Sequence, residues 1–356
     1  MANDQRVMMA HGGGGELMQD LIHQHILPPL NNDTLSALTD GAELGQLDGQ
    51  VVFTTDSFVV SPLRFPGGDI GRLAVCGTVN DLAMMAARPI ALSLGMIIEE
   101  GLPLAMLDEV LDSIASAAAQ AEVQIVTGDT KVIERRVGIA DQTAAQTESE
   151  SLPGSEENGL IINTAGIGLR EVEIAPTTEN IEPGDVIVIN GHIAEHGLAV
   201  MSVRQGLEFT STLRSDAAPL NSLIAATLAA GLCPKFLRDP TRGGLAGTLV
   251  DIAEATGQTI EVDEEAIPVS ATARHAAELL GLDPLTVANE GKCVLVVAAE
   301  EVSPLLDCLR AHPLGRNSVA IGRVTEPATA SVELITKAGG RRLLRRPYGE
   351  ELPRIC

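Results

Sequence analysis

The sequence predicts an α+β fold built from two domains. The chain has 356 residues, which is enough for two domains of ordinary size. Hydrophobic residues make up 45% and charged residues 20%, a balance typical of a chain that buries an apolar core. Segments with strand and helix patterns occur in both halves but do not alternate one for one, which favours α+β layers over a doubly wound parallel sheet. Because aromatic residues are only 2%, we expect that core to be aliphatic.

The first half of the chain contains three predicted strands and two predicted helices. The apolar and β-branched runs that predict strands are 51–60, 90–98 and 123–127. Helical periodicity covers 70–87, with Gly71 near its start and Pro89 just past its end, and also the Ala-rich segment 104–121.

A change of composition between residues 141 and 159 predicts a linker. Ser, Thr, Glu, Gln, Pro and Gly dominate there, so the segment has little apolar surface to bury. We therefore expect a first domain at 1–150, a second domain at 151–335 and a mobile C-terminal tail at 336–356.

The second half repeats the mixture of strands and helices. Its predicted strands are 160–169, 186–190, 259–262, 292–298 and 319–324. Its predicted helices are 195–204, 217–230, 243–255 and 302–311.

The charge and the cysteine pattern exclude several classes of function. A net charge of −24 argues against a nucleic-acid partner, because binding phosphates needs clustered Lys and Arg. No uninterrupted apolar run reaches the ~18 residues that span a bilayer, so we expect no membrane segment. The first ten residues lack the pattern of a signal peptide. Five cysteines without a CxxC pair are typical of free thiols in a cytoplasmic protein.

Four aspartates lie close to turns or glycines and are candidate Mg²⁺ ligands: Asp56, Asp69, Asp81 and Asp239. Carboxylate oxygens brought together in space suit Mg²⁺, which is usually shared with the phosphates of a substrate. Each aspartate alone is better explained as a helix cap or turn residue. Asp81 fits that explanation least, because it lies within the apolar helical pattern rather than at its edge.

Two glycine segments are candidate phosphate sites. The run 12–15 lets backbone N–H groups approach an anion closely, although it matches neither the P-loop nor the Rossmann fingerprint. A flexible N-terminal arm is the alternative. Gly243 and Gly244 follow Arg242 and open a predicted helix, where an anion site or a plain turn would both fit.

A lysine and a glutamate at the ends of predicted strands are candidates for catalysis. Lys131, beside Asp129, could neutralise a phosphate, or it could be an ordinary surface lysine. Glu290 comes just before an apolar strand and is a candidate general base, with a turn residue as the alternative.

The chain ends in Cys356, preceded by an arginine-rich stretch at 341–346. A thiol at a chain end can visit one site, react and move to another. An incidental cysteine on a disordered terminus is the alternative.

Together these segments resemble the HypE family of hydrogenase maturation factors, within the wider superfamily of aminoimidazole-ribonucleotide synthetase and selenophosphate synthetase. The resemblance extends over nearly the whole chain, and the terminal cysteine separates this family from the others. The acidic stretch 141–159 looks longer than is usual for the family. The segments that carry the resemblance are TDSFVVSPL (55–63), FPGGDIG (65–71), VCGTVNDL (75–82), VTGDTKV (126–132), RDPTRGG (238–244), ANEGK (288–292) and PRIC (353–356).

The resemblance implies a two-domain architecture like that of aminoimidazole-ribonucleotide synthetase, with a flexible tail, and an ATP-dependent carbamoyl dehydratase. In the family, the carbamoyltransferase HypF loads a carboxamide onto the terminal cysteine, here Cys356. Dehydration then yields a thiocyanate, whose cyanide goes to the iron of a [NiFe] hydrogenase precursor on a HypC–HypD scaffold. The first domain would form a homodimer, with the nucleotide near the interface.

The resemblance also implies roles for individual residues. Lys131 would stabilise the transferring phosphoryl group, Glu290 would be the base, and Cys356 would carry the substrate. The metal ligands would be Asp56, Asp81 and Asp239, with Asp69 less firmly placed. The nucleotide would be bound by Gly12, Gly13, Gly14, Asn80, Asp81, Asp129 and Thr130. Two rival interpretations remain: a small-molecule ATP-dependent synthetase in which Cys356 is dispensable, and a non-enzymatic carrier that binds iron.

Overall fold

Two β-sheets, each packed against helices, form the framework of the protein. In a computed structural model of the chain, the described residues are 5–135, 159–170, 172–173, 175–207, 213–326 and 329–346. The chain begins with a 3₁₀ turn at Met9–Gly12 and short helical segments, which are α1 (Glu16–Leu21), a π-helical turn (Ile22–Ile26), α2 (Leu27–Leu30) and a 3₁₀ turn (Leu35–Ala37).

The first sheet has four strands and is covered on one face by two long helices. Its spatial order is β1-β6-β4-β5, and the β4–β5 pair is parallel. A small hairpin of β2 (Arg64–Phe65) and β3 (Gly68–Asp69) leads into the first helix. The strands are β1 (Gln50–Phe58), β4 (Ala87–Glu99), β5 (Gln124–Ile133) and β6 (Leu160–Arg170), and the helices are α3 (Ile70–Met84) and α4 (Leu104–Gln120). The buried core between sheet and helices is aliphatic, as the composition predicts.

The strand β6 corrects the predicted domain boundary. It pairs with β1 along the whole of that strand, from Gln50 opposite Arg170 to Phe58 opposite Ile162, and it pairs with β4 on its other side. It therefore lies inside the first sheet, and the first structural unit extends to Arg170 instead of ending at 150. The change of composition marks a connection between two strands of one sheet. A polar segment shows where burial stops, but it does not show which strands pair on either side of it. Most of 141–159 lies outside the described residues.

The second sheet has seven strands in the order β13-β12-β9-β11-β7-β10-β8. Aliphatic clusters lie on both of its faces, one against α5, α7 and α8 and the other against α6 and α9. The strands are β7 (Val186–Ile189), β8 (Phe236–Arg238), β9 (Thr259–Asp263), β10 (Val294–Val297), β11 (Val319–Thr325), β12 (Ser331–Ile335) and β13 (Arg341–Leu344). The helices are α5 (Glu195–Arg204), α6 (Asn221–Ala229), α7 (Gly244–Thr256), α8 (Ala271–Leu280) and α9 (Val302–Ala311).

The predicted tail begins too early. β13 pairs with β12 at the edge of the second sheet, so residues 341–344 belong to that domain. The arginines there are paired with carboxylates of the same domain: Arg341 with Glu261 and Glu333, and Arg346 with Asp251 and Glu254. Because carboxylates of the same domain balance the charges of Arg341 and Arg346, these arginines hold the edge strand β13 in place. Residues 347–356, which include Cys356, lie outside the described part of the chain.

Most predicted elements are present within a few residues, and two differences affect the site. β5 continues to Ile133, so 128–131 lies within the strand and not at its end. The helix predicted from 217 begins at Asn221, because the preceding residues bond to α3 instead: Arg72 Nε donates to the carbonyl of Ala217 and Leu220 N–H donates to Asn80 Oδ1. The segment 213–220 thus runs along the junction of the two domains. In the described ranges, no helix is long and apolar enough to cross a membrane.

Candidate active site

Asp56 and Asp81 lie at the β1 edge of the first sheet, on the face covered by α3. Asp56 is directly opposite Thr164, whose hydroxyl donates to the carbonyl of Ala74 in α3, so both side chains lie on that face. Thr54, two residues before Asp56, donates from Oγ1 to Asp81 Oδ2 at 2.8 Å. Burial and the negative charge of Asp56 raise the pKa of Asp81, although the Thr54 hydrogen bond opposes the shift.

Asp239 follows β8 and is the third carboxylate of this group. Burial, together with the charges of Asp81 and Asp56, raises its pKa to about 7, against a partial compensation from Arg238. When neighbouring carboxylates contribute to a raised pKa, their negative charges are not fully balanced. A bound cation would balance them. The second domain therefore adds a third acid beside the two of the first.

Glu290 is 3% exposed and lies next to Asp239. Burial raises the pKa of Glu290 well above its usual range, and the charges of Asp239, Asp216 and Asp56 raise it further. A carboxylate whose pKa is raised is a stronger proton acceptor than an ordinary one, which suits a general base. Arg242 lies across the site, with Nη2 at 3.4 Å from Asp56 Oδ1, and its positive charge partly compensates that carboxylate.

The three aspartates fit a magnesium ion by their chemistry without forming a closed ligand set. Among the described residues, no group of three or more His, Cys, Asp or Glu side chains is placed to hold a metal ion by itself. Mg²⁺ usually takes one or two carboxylates and completes its shell with water and substrate phosphates. The raised pKa values of Asp81 and Asp239 show that this cluster has an excess of negative charge, which suits a divalent cation.

A second group of candidate residues lies on β5, at the opposite edge of the sheet. Lys131 Nζ is 2.7 Å from Asp129 Oδ1, and the ion pair is largely exposed. The hydrogen bond and charge of Lys131 lower the pKa of Asp129. Gly12 packs against the same strand, since a Cβ placed on it would lie 2.9 Å from Val132 Cβ. Gly14 has a φ of +75°, so the turn that follows uses a conformation that glycine adopts freely.

The two groups do not meet within one chain. Three strand spacings separate β1 from β5, a distance of about 14 Å. Lys131 is opposite Ile97, on the sheet face that α3 does not cover, whereas Asp56 faces α3. That outer face also carries Val51, Phe53 and Ile97 as exposed apolar side chains, and Phe53 is 66% exposed.

Asp69 does not join the acidic cluster. It is the N-cap of α3, and its Oδ1 accepts the N–H of Arg72 at 2.9 Å. Asp81 is twelve residues further along the same helix, about 18 Å away at 1.5 Å per residue. The capping role that the sequence left open therefore explains Asp69, because the helix places the two aspartates at opposite ends.

Asn80 also has a structural role instead of the predicted nucleotide contact. It is buried, and its amide nitrogen donates to the carbonyls of Ala218 and Glu290 while its Oδ1 accepts from Leu220 N–H. All three partners are main-chain groups of the second half of the chain. Asn80 thus joins α3 to the second domain, and its neighbour Asp81 faces the site.

Several residues that shape the site were not singled out from the sequence. Thr54 orients Asp81, and Asn289 bonds to the main chain beside Asp239. Asp216 and Lys292 form a buried ion pair next to Glu290. The polar residues 289, 290 and 292 directly before an apolar strand could have indicated a functional segment. Nothing in the sequence around Asp216 indicates that it pairs with Lys292.

The comparisons with known proteins agree with this architecture. Models of the AIR synthase related protein match residues 39–145 as its N-terminal domain and 182–335 as its C-terminal domain. Carbamoyl dehydratase HypE of Rhizobium leguminosarum bv. viciae is 45% identical over 352 residues, covering 99% of this chain and 95% of the relative. A crystal structure of the hydrogenase maturation protein HypE in complex with ATP is 40% identical, with a TM-score of 0.89, and covers 98% of this chain and 99% of that one.

A crystal structure of a HypE–HypF complex also matches, at 40% identity and a TM-score of 0.75, covering 94% of this chain and 100% of that one. The likeness extends across both domains and nearly the full length of each protein. The two-domain fold, the acidic cluster at the domain junction and this identity agree with one another: the chain belongs to the HypE family, within the AIR synthase superfamily.

Proposed function

We propose that this chain is an ATP-dependent carbamoyl dehydratase that converts a carboxamide on the sulfur of its own Cys356 to a thiocyanate. The observation that supports this most directly is Glu290, a buried carboxyl group with a raised pKa beside the acidic cluster. Relatives of 40–45% identity over the whole chain are named carbamoyl dehydratase, and a similar protein was crystallised with ATP.

The reaction explains why ATP and a base are both needed. An amide oxygen is a poor leaving group, so the oxygen of S–C(=O)NH₂ first takes the γ-phosphoryl group of ATP and ADP is released. The C–O bond then breaks and phosphate departs, while the nitrogen loses both protons and becomes the nitrile of S–C≡N. The balance is carboxamide plus ATP to thiocyanate, ADP and phosphate. One proton leaves with the phosphate and a base must accept the other.

The chain's own residues supply these roles. Glu290 is the base, because it is buried beside the acidic cluster and its raised pKa makes its carboxylate a stronger proton acceptor than an ordinary one. Lys131 on β5 binds the phosphoryl oxygens as they gain negative charge, and the Gly12–Gly14 turn beside it holds the nucleotide. Asp56, Asp81 and Asp239 would hold Mg²⁺, which when bound neutralises the charge of the phosphates.

A homodimer would bring the two halves of the site together. The strands that carry Asp56 and Lys131 are about 14 Å apart at opposite edges of one sheet, and Lys131 is three residues along β5 from the position in line with Asp56, so a single phosphoryl group cannot contact both in one chain. The outer face between them exposes Val51, Phe53 and Ile97, a set of apolar side chains that a second copy would bury. We propose that this copy places the β5 edge of one chain near the β1 edge of the other.

The partners follow from the proposed reaction. A carbamoyltransferase of the HypF type would load Cys356, in agreement with the solved HypE–HypF complex of a similar chain. The cyanide ligand would pass to the iron of [NiFe] hydrogenase on a HypC–HypD scaffold. We place these steps in the cytoplasm, where the thiol of Cys356 would stay reduced.

A small-molecule ATP-dependent synthetase is the second candidate. The match of both domains to AIR synthase related proteins favours it, because that superfamily includes enzymes of this kind. It predicts turnover that survives removal of Cys356.

The deciding experiment is intact-protein mass spectrometry. The full chain is incubated with the carbamoyltransferase and its substrates, and ATP is then added or withheld for the second step. We expect a carbamoyl adduct on the Cys356 peptide that loses the mass of one water only with ATP. A chain that hydrolyses ATP while Cys356 stays unmodified would support the synthetase instead.

A further inference from the structure

Asp216 lies on the junction segment 213–220, which the first domain holds from several sides. The main-chain N–H of Ser215 donates to the carbonyl of Pro66 at 2.7 Å, and Arg72 Nε donates to that of Ala217 at 2.8 Å. Asn80 Nδ2 donates to the carbonyl of Ala218. The position of Asp216 is therefore set by the first domain, although it belongs to the second half of the chain.

The same segment binds the main chain of Glu290. Glu290 N–H donates to Asp216 Oδ1 at 3.2 Å, and the N–H of Ala218 donates to the carbonyl of Glu290 at 3.4 Å. The approach is so close that a Cβ on Gly291 would lie 1.9 Å from the Asp216 carbonyl oxygen. Glu290 is thus held at both its N–H and its carbonyl by one short segment.

Lys292 completes the arrangement. Its Nζ lies 2.9 Å from Asp216 Oδ2, and the two side chains are only 12% and 2% exposed. Burial alone would raise the pKa of Asp216, but the charges of Lys292 and His196 and the hydrogen bonds from Lys292 and the Glu290 N–H together outweigh it, so the net shift of the pKa is downward. Removing one member of a buried pair leaves an uncompensated charge, so the side chains of Asp216 and Lys292 constrain each other strongly.

We propose that Asp216, held by Lys292, is a positioning residue that fixes Glu290 beside Asp239. This rests on the proposed role of Glu290 as the base. Asp216 gives the Glu290 main chain an immobile acceptor, and Lys292 prevents that acceptor from turning away. Because Asp216 is fixed by the first domain and Asp239 follows β8 of the second, the contact also places the base relative to both domains.

The test is a double-mutant cycle on the full chain after it has been carbamoylated by its carbamoyltransferase. The single-turnover rate of water loss and the ATP concentration for half-maximal rate are measured for Asp216→Ala, Glu290→Gln and the double variant. We expect Asp216→Ala to slow turnover by about tenfold or more without changing the half-saturating ATP concentration. In the Glu290→Gln background the same change should cost nothing further, because the residue it positions has been removed.

Two further variants separate positioning from stability. Asp216→Asn keeps an oxygen acceptor for Glu290 N–H and should retain a rate within about threefold of the parent. Asp185→Ala is the matched control, since Asp185 is also buried, pairs with Lys235 at 3.0 Å and accepts a main-chain N–H from Glu182. It should lower the melting temperature to a similar degree and leave the rate of water loss unchanged.

The outcomes are distinct. An Asp216→Ala rate close to the parent, or an equal loss with and without Glu290, overturns the proposal. If Glu290→Gln itself keeps the full rate, Glu290 is not the base and the positioning proposal is wrong as well. This result differs from the first case, in which Glu290→Gln is slow but Asp216→Ala does not act through it. If Asp216→Ala fails to fold, the same cycle is run with Lys292→Met. We then expect Lys292→Met to slow water loss when residue 290 is Glu and to cause no further loss of rate when it is Gln.

Discussion

Asn289 donates two hydrogen bonds to the carbonyl oxygen of Pro240, one from its side-chain amide at 2.9 Å and one from its main-chain N–H at 3.2 Å. Pro240 follows Asp239 and Asn289 precedes Glu290, so this contact holds the third aspartate beside the proposed base. Asn289 Oδ1 also accepts from Ala194 N–H, just before α5. One buried amide therefore joins three separate segments at the site.

Asn289→Ala should lower both stability and activity. It leaves the buried N–H of Ala194 without its acceptor, which costs about 1–3 kcal/mol, and it removes the shorter of the two hydrogen bonds that hold Pro240 beside residue 289. Urea denaturation and the rate of water loss measure the two effects. Asn180→Ala is the control, because Asn180 also donates to main-chain carbonyls but is remote from the site. It should reduce stability alone, and a normal rate in Asn289→Ala would contradict the role given to this residue.

The raised pKa of Asp239 predicts a stability that falls as the pH rises. Its pKa in the folded protein is about 7, above the ordinary value of 3.8, so between these values the folded state binds a proton that the unfolded chain releases. The stabilising contribution is complete below about pH 4 and is lost as the pH passes through about 7.

Asp239→Asn removes this dependence and should raise the melting temperature at pH 8 in the absence of Mg²⁺, with no gain at pH 4. A full shift of this size corresponds to about 4 kcal/mol, and we expect less because the side chain is only partly shielded. Mg²⁺ should stabilise the parent more than the variant. Equal stabilisation of both by Mg²⁺ would argue against Asp239 as a ligand.

Gly12→Ala should weaken ATP binding through its contact with β5. A Cβ at this position would lie 2.9 Å from Val132 Cβ and 3.0 Å from Val132 N, so the turn must move away from the strand that carries Lys131. Gly41→Ala is the control, because a Cβ there would meet no atom of the described residues within 4 Å and Gly41 lies outside the nucleotide turn. Titration calorimetry with ATP compares the two, and equal affinities would show that the packing of Gly12 does not affect the nucleotide.

Asp69→Ala should destabilise the protein without changing its need for Mg²⁺. Loss of the N-cap hydrogen bond to Arg72 N–H typically costs about 1 kcal/mol. Asp81→Asn should instead raise the Mg²⁺ concentration needed for half-maximal ATP hydrolysis. If Asp69→Ala shifted that concentration as Asp81→Asn does, Asp69 would have to be returned to the metal site.

Phe53→Asp should dissociate the proposed homodimer. A carboxylate on the outer sheet face at the β1 edge would be buried without a partner when a second copy docks there. Light scattering should then give the mass of a single chain. The ATP-dependent removal of water from the carboxamide should also disappear. Leu279→Asp replaces another exposed apolar residue, on α8, and should leave the mass unchanged. A parent chain that is active as a monomer would remove the dimer from the mechanism.

Local sequence patterns indicated most elements of the fold and the acidic side chains of the candidate site. Helices α3, α4, α5 and α9 were predicted within three residues of their ends, because apolar periodicity is a local property of the chain. Four carboxylates could be singled out because each lies in one of the short motifs that carry the family resemblance: Asp56, Asp81, Asp239 and Glu290. The family resemblance led us to expect these acids at one site, and their roles there stay predictions.

Contacts between residues distant in sequence became apparent only in the folded chain. The pairing of β6 with β1 moved the domain boundary, and the length of α3 separated Asp69 from Asp81. Asn80 proved to hold the domains together, and the Asp216–Lys292 pair beside Glu290 had no signal in either segment alone. Periodicity and capping act within a few residues, whereas strand register and buried ion pairs depend on which surfaces meet after the chain has folded.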